Sequence, residues 1–445
     1  MQKPPEKKQR PESFASPKGM HDLIGEEFYK YQGFFDKASE VAVYYGFKPI
    51  ATPILEREDV FTSSLGEGTD IRDKEMYTLK TKGGDHLVMR PEGTAAVMRS
   101  YIEHGMQTLP QPVMLYYYGP FFRHENPQHG RLRELRQFGL EILGTTKSIT
   151  DAMIIRTLTI ILEEAGIKDI LVEINSIGDK ECRPAYLREL TAYYRKHIES
   201  LCPHCKERLK TNPLRLLDCK DERCQPFKEN APNSIASLCS SCRAHFKEVV
   251  EYLEAMNISY EINPRLVRGL DYYTRTAFEI SERPLSPEDQ LLAGERDVTA
   301  LSLGGGGRFD YLGRALGSKK DIPGVGGGIG VDRVLMSPNH KPLDPRIIKK
   351  PKVCFIQLGF EAKLKSLSII EILRKARIPV VQSLPKDNLS VQLSMAEKLG
   401  VPYAVIFGQK EAMDGTVIVR DMASRSQETV KLDDLPEYIK KIKQH

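Results

Sequence analysis

The chain has 445 residues, enough for two or three domains with a core apiece. Its 65 basic residues against 60 acidic ones give a net charge of +5, compatible with a nucleic-acid partner but far from the imbalance of a dedicated binder. No apolar run approaches the roughly 18 residues of a membrane span, and no apolar core follows the charged start as in an export signal. The expectation is therefore a cytoplasmic location with reduced cysteines.

Residues 1–16 are polar, charged and proline-bearing, the pattern of a disordered tail. Asp22 precedes Glu26 and Glu27 and reads as the cap of a helix continued by Phe28, Tyr31, Phe35, Ala38 and Val41. Residues 46–55 read as an extended strand, because the residue before a proline avoids helix. Residues 87–90 form a strand running into Pro91, and a helix follows from Thr94. Glu92 and Thr94 thus sit at a strand-to-helix junction, where side chains either meet ligands or cap the helix.

Between 116 and 144 two strand-like runs flank a polar, basic loop and predict a hairpin. Side chains two apart share a strand face, so Arg123 and Glu125 point together. By the same rule Gln137, Gly139 and Glu141 oppose Phe138 and Leu140. Asp151 reads as the cap of an apolar helix reaching Gly166, and residues 170–174 as a strand.

The character changes over residues 182–256, where charged helical segments carry most of the cysteines. The two C-x-x-C pairs, Cys202 with Cys205 and Cys239 with Cys242, fit a tetrahedral structural zinc site, with Cys219 and Cys224 as alternative ligands, and free or redox-active thiols are the competing readings. Cys182 and Cys354 are isolated and read as buried thiols. Strand-like pattern returns at 260–263, 268–273 and 277–280, and 284–298 reads as a loop. Residues 337–352 read as a proline-rich linker. Beyond it strands and helices alternate, which argues a small α/β domain with a parallel or mixed sheet.

Five short stretches together carry a resemblance. The segment from Arg123 to Glu125, with the loop through Arg131, resembles motif 2 of the class II aminoacyl-tRNA synthetases, and residues 324–333 (GVGGGIGVDR) resemble their motif 3. Residues 266–274 (LVRGLDYYT) resemble a signature of the histidyl-tRNA synthetase family, which residues 90–94 (RPEGT) and 304–310 (GGGGRFD) also fit. The first helix and the proline-bearing strand after it resemble motif 1, the dimer-forming element. The resemblance implies an α+β fold: an antiparallel sheet flanked by helices, an inserted cysteine-rich helical domain and a C-terminal α/β anticodon-binding domain. The domains would be a catalytic part at 17–181, the insert at 182–256, a second catalytic part at 257–336, the linker at 337–352 and the anticodon-binding domain at 353–445.

The resemblance further implies activation of L-histidine by ATP and transfer to the 3′ end of tRNA(His), by a homodimer. Arg123 would meet the α-phosphate, Glu125 the adenine, Arg131 the γ-phosphate and Arg333 the nucleotide from the opposite side. Glu141 and Tyr273 would face the imidazole, with Tyr272 beside them, while Glu92, Thr94 and Gln137 would hold the amino group. Arg268 would serve the carboxylate and the α-phosphate, making Arg268 and Arg123 the catalytic pair. Mg²⁺ would come with ATP. Gln128, Arg131 and Arg133 are candidates for the acceptor end of tRNA. Phe309 stands where the family usually carries tyrosine, so no hydroxyl can act there. The competing expectations are a non-catalytic relative regulating histidine biosynthesis, which would lack the arginines and the C-terminal domain, and a zinc-containing RNA-binding module.

Overall fold

The described strands of the first unit are β1 (Lys48–Pro49), β2 (Leu55–Arg57), β3 (Tyr77–Lys80), β4 (His86–Met89), β5 (Val113–Phe122), β6 (Glu134–Leu143), β7 (Ile170–Ser176), β8 (Tyr260–Ile262), β9 (Thr274–Glu282), β10 (Ser302–Arg308) and β11 (Gly324–Gly330). Eight of them join in the order β1-β5-β6-β11-β10-β9-β7-β8, antiparallel from β5 to β7 and parallel at both edges. Strands β2, β4 and β3 make a small antiparallel sheet of their own. The structure is a computed structural model that describes residues 15–66, 69, 71–126, 130–283, 302–346, 351–382 and 388–442.

The alternation along β6 decides which face carries chemistry. Phe138, Leu140 and Ile142 enter a core shared with the helices Glu26–Tyr44, Ile149–Glu164 and Ser240–Ala255. Full burial of each such side chain contributes about 1.5–3 kcal/mol. Gln137, Gly139 and Glu141 are left for the other face.

Several local expectations are corrected. Asp22 does not cap the first helix, which starts after Gly25, a residue at φ 59 that glycine adopts without a steric cost. Residues 46–55 do not form one strand: Lys48–Pro49 pairs with β5, then the chain leaves for β2, since Pro49 and Pro53 have no N–H for a ladder. Asp151 lies inside the first turn of Ile149–Glu164, fully buried, and its carboxylate is committed to Arg308 instead of the helix end. Residues 268–273 are loop, entered by a turn in which Leu266 N–H donates to the Asn263 carbonyl.

Residues 182–256 contain no strand. Tyr186, Leu190, Tyr194, Leu209 and Leu216 gather into a separate small core around Cys202, Cys205, Cys219 and Cys224. The last helix of the segment, Ser240–Ala255, instead sends Phe246, Val249 and Leu253 into the main core. Part of the segment read as linker also belongs to the first unit, where Lys341 N–H donates to the Ala165 carbonyl and Leu343 packs on the core.

The chain divides into two units, Met1–Pro345 and Arg346–His445. In the second, β12 (Val353–Gln357), β13 (Val380–Gln382), β14 (Tyr403–Phe407), β15 (Thr416–Asp421) and β16 (Gln427–Lys431) order as β13-β12-β14-β15-β16. The first three are parallel and the last two antiparallel. Val353 and Phe355 enter one core cluster, Cys354 and Ile356 another, so β12 is covered on both faces. Among the described residues no helix is long and apolar enough to cross a membrane.

Candidate active site

A cavity of about 170 Å³ opens on the chemical face of the large sheet. Its walls are supplied by β6, β10 and β11, by the loops around residues 92, 123 and 131, and by the 268–273 loop. One end is cationic. Arg123, Arg131 and Arg333 all line it, from the end of β5, the hairpin loop and the helix Val331–Met336. Arg123 donates through Nε to the Pro91 carbonyl at 2.9 Å. Arg333 is held by the carbonyls of Gly130 at 3.0 Å and Ser302 at 2.8 Å, and these backbone contacts fix it without neutralising it. Burial, then the charges of Arg131 and Arg123, lower the pKa of Arg333, the signature of cations gathered around a place for an anion.

Arg123 and Glu125 do meet at this cavity, but not by strand alternation. Strand β5 ends at Phe122, and the backbone then bends: His124 N–H reaches the Glu75 carbonyl and Glu125 N–H the Arg123 carbonyl. Glu125 Oε2 accepts from Arg131 at 3.1 Å. Arg133 turns back into the loop, donating to the Glu125 carbonyl at 3.0 Å, and is not brought into the cavity. Gln128 lies outside the described residues.

The other end is acidic and aromatic. Glu92 accepts from the N–H groups of Thr94 at 2.6 Å and Ala95 at 2.9 Å, so it caps the helix Thr94–Glu103 while also lining the cavity. It further accepts from the Tyr272 hydroxyl at 3.2 Å. Thr94 and Tyr117 line the same end and both donate to Glu141 Oε1, at 2.7 and 3.1 Å. Glu141 is fully buried and its Oε2 has no partner. Burial, with Glu92 adding to it, pushes the Glu141 carboxyl up to about 8 despite the hydrogen bonds from Thr94 and Tyr117. Gln137 and Tyr273 complete this end.

Arg268 bridges the two ends, with Nη1 donating to Glu279 Oε2 at 3.0 Å and its buried Nε without a partner. The glycine-rich strands make room for it. A Cβ on Gly305 would stand 2.7 Å from Arg268 Nη1, and one on Gly326 would stand 1.6 Å from Glu141 Oε2. Both functional side chains thus lie in space that any larger residue would fill.

Two family models match the chain, one over each unit. That for "Histidyl-tRNA synthetase" matches residues 19–334, and that for "Anticodon binding domain" matches 352–442. The chain belongs to the histidyl-tRNA synthetase family. It is 41% identical to the histidine–tRNA ligase of Dehalococcoides mccartyi over 96% of this chain and 99% of the relative, and 40% identical to that of Caldicellulosiruptor saccharolyticus over 96% and 98%. The apo histidyl-tRNA synthetase of S. aureus has a similar structure, with a TM-score of 0.77 and 31% identity over 96% of this chain and all of that one.

Two partners in this histidyl-tRNA synthetase family site were not anticipated. Glu279 holds Arg268 and Tyr117 holds Glu141, and both lie on ordinary-looking strand positions that sequence spacing does not mark. Phe309 is buried edge-on against Tyr272, a position where it packs. The expected zinc set is corrected. Cys202 and Cys205 cluster with Cys219 and Cys224, their sulfurs within 4.8 Å of one another, and Cys239 and Cys242 lie in a different group with Asp179 and Cys182. A C-x-x-C spacing fixes which two sulfurs neighbour each other and leaves open which second pair the fold brings to them.

Proposed function

We propose that this site condenses ATP and L-histidine to histidyl-adenylate and passes the histidyl group to the 3′ end of tRNA(His). The observation that carries it is the division of one cavity into a cationic end of three arginines and a carboxylate end, with Arg268 between them. Arg123, Arg131 and Arg333 would hold the triphosphate, because guanidinium forks match phosphate oxygens and stay charged. Glu125 would meet the adenine. Glu92, Thr94, Gln137, Glu141, Tyr272 and Tyr273 would surround the histidine. Its carboxylate oxygen attacks the α-phosphorus, pyrophosphate leaves, and Arg123 and Arg268 stabilise the charge on the pentavalent transition state. Mg²⁺ would be carried chiefly by the phosphates, whose charge it offsets, with Glu125 and Glu279 the acids nearest the arginines.

Histidine-dependent exchange of pyrophosphate into ATP tests the reading. Robust exchange is expected; its absence, with histidine still bound, would favour the regulatory rival.

The supporting parts fall into place around this reading. The family's anticodon-binding match at 352–442 favours tRNA as partner. Exposed Ile24, Phe28, Val43 and Tyr44 on and beside the first helix favour a homodimer through motif 1. Cytoplasmic location remains the natural setting for this reaction. Zinc would be held by Cys202, Cys205, Cys219 and Cys224, all buried. Cys202 and Cys219 sulfurs stand 3.8 Å apart, and backbone N–H groups of Cys205, Cys202 and Asp221 point at the sulfurs of Cys202, Cys224 and Cys219, an arrangement suited to thiolates around a cation.

A second consequence concerns protons. Glu141 holds its proton near neutrality because burial disfavours its charged form, with the nearby Glu92 carboxyl adding to the effect. The ammonium of histidine would favour the charged forms and expel the proton. Calorimetric titration at about pH 7 in buffers of different ionisation enthalpy should show proton release on histidine binding, abolished in Glu141→Gln. No release in the wild type, or equal release in the variant, would remove Glu141 from this role.

A further inference from the structure

Outside the active site, we propose that Asp179, Cys182, Cys239 and Cys242 form a second metal centre, taking a thiophilic divalent cation such as zinc. Four groups from two segments converge there. Asp179 and Cys182 lie on the loop that follows β7, and Cys239 and Cys242 on the N-cap and first turn of the helix Ser240–Ala255. Their ligand atoms all lie within 4.8 Å of one another. A tetrahedral ion at about 2.3 Å from each sulfur sets neighbouring sulfurs roughly 3.8 Å apart, so a contraction of about 1 Å closes the site.

The surroundings are those of a built site. Asp179, Cys182 and Cys242 are buried, and Leu238 and Ile235 pack against the sulfurs. Glu181 N–H donates to Asp179 Oδ1 at 3.0 Å and Arg275 to Oδ2 at 3.3 Å, which orients the carboxylate and offsets part of the charge. Cys182 Sγ lies where a side chain at Gly178 would be: that glycine has φ +67, and a Cβ on it would stand 2.6 Å from the sulfur. Three thiols are weak hydrogen-bond donors, and a thiophilic cation, displacing their protons, gives these sulfurs and the carboxylate a stronger partner than they can give each other.

The position gives the centre a task distinct from that of the Cys202 cluster. The 177–183 loop is bonded to the substrate-site strand on both sides: Ile177 N–H to the Arg275 carbonyl and Arg275 N–H to the Gly178 carbonyl, both at 2.8 Å. Arg183 also donates to the carbonyl of Tyr273, which lines the histidine end. A metal here fastens the insert's last helix to the backbone that carries Tyr273.

The test is metal analysis of the full chain, purified without chelator, beside Cys242→Ser and Cys219→Ser. Cys242→Ser should lose one equivalent that Cys219→Ser keeps. Metal-free wild type, an unchanged content in Cys242→Ser, or a Cys239–Cys242 disulfide in a non-reduced peptide map would overturn the proposal. Should Cys242→Ser fail to fold, Asp179→Asn supplies the milder probe. Zinc release from it to a chromogenic chelator should be at least tenfold faster than from the wild type, and an equal rate would overturn the assignment.

Discussion

Arg268→Ala is expected to slow histidine-dependent pyrophosphate exchange about 100-fold to 1000-fold, the loss of roughly 3 kcal/mol that accompanies removal of one preorganised transition-state donor. The side chain lines the cavity beside both the arginines and the carboxylates and is anchored by Glu279. A charge held in place before the reaction needs no reorganisation as the α-phosphorus becomes pentavalent, which is why the loss should fall mainly on kcat. Lysine at 268 would keep the charge but not the fork, so Arg268→Lys should recover only part of the rate. Gly305→Ala should act in the same direction, since its Cβ collides with Arg268 Nη1. Thermal unfolding of Arg268→Ala should stay close to wild type, which separates a chemical role from a structural one. Near-normal adenylate formation in that variant would remove Arg268 from the chemistry.

Arg308→Ala should cost about 3–5 kcal/mol of stability, the penalty for leaving a buried charge without its partner. Arg308 belongs to the glycine-rich stretch 304–310 that fits the family, and it is fully buried. Its guanidinium donates to Asp151 through Nε at 3.2 Å, and through Nη1 to the Thr145 carbonyl at 2.9 Å and Asp310 at 3.2 Å. Nη2 reaches Thr150 at 3.1 Å, and His245 stands 3.2 Å from Asp151 on the other side. The cluster ties β10 to the helices Ile149–Glu164 and Ser240–Ala255. The pH dependence has a definite sign. Burial alone would raise the Asp151 pKa, but Arg308 and His245 outweigh it and leave about 2. A depressed carboxylate contributes stability above its unfolded pKa, near 4, and loses it as pH falls through the folded value. Denaturant unfolding of wild type and Asp151→Asn should therefore differ most above pH 4 and converge toward pH 2. A constant gap across that range would mean that the carboxyl titrates alike in the folded and unfolded chain, so that Arg308 and His245 do not depress it.

The hairpin and its alternating faces are legible because period-two apolar positions point to a buried face whatever surrounds them, and the short β12-to-β14 strands because apolar runs there alternate with helical segments. The glycine-rich stretches were legible as motifs but not as causes. Only the sheet register reveals that Gly305 makes room for Arg268 and Gly326 for Glu141. Asp22 and Asp151 were misread for a shared reason: a helix-cap signal is local and weak, and a positive-φ glycine in one case and a buried arginine in the other override it.

By itself, the sequence determined the family, the order of its motifs and residue types suited to phosphate and imidazole, because each is written in contiguous residues. Tertiary structure alone decided which cysteines share a centre, that Arg308 is a core ion pair, and that Glu279 and Tyr117 hold Arg268 and Glu141. Each of those depends on side chains carried by different elements, and nothing in the spacing of one segment encodes which other segment the fold will lay against it.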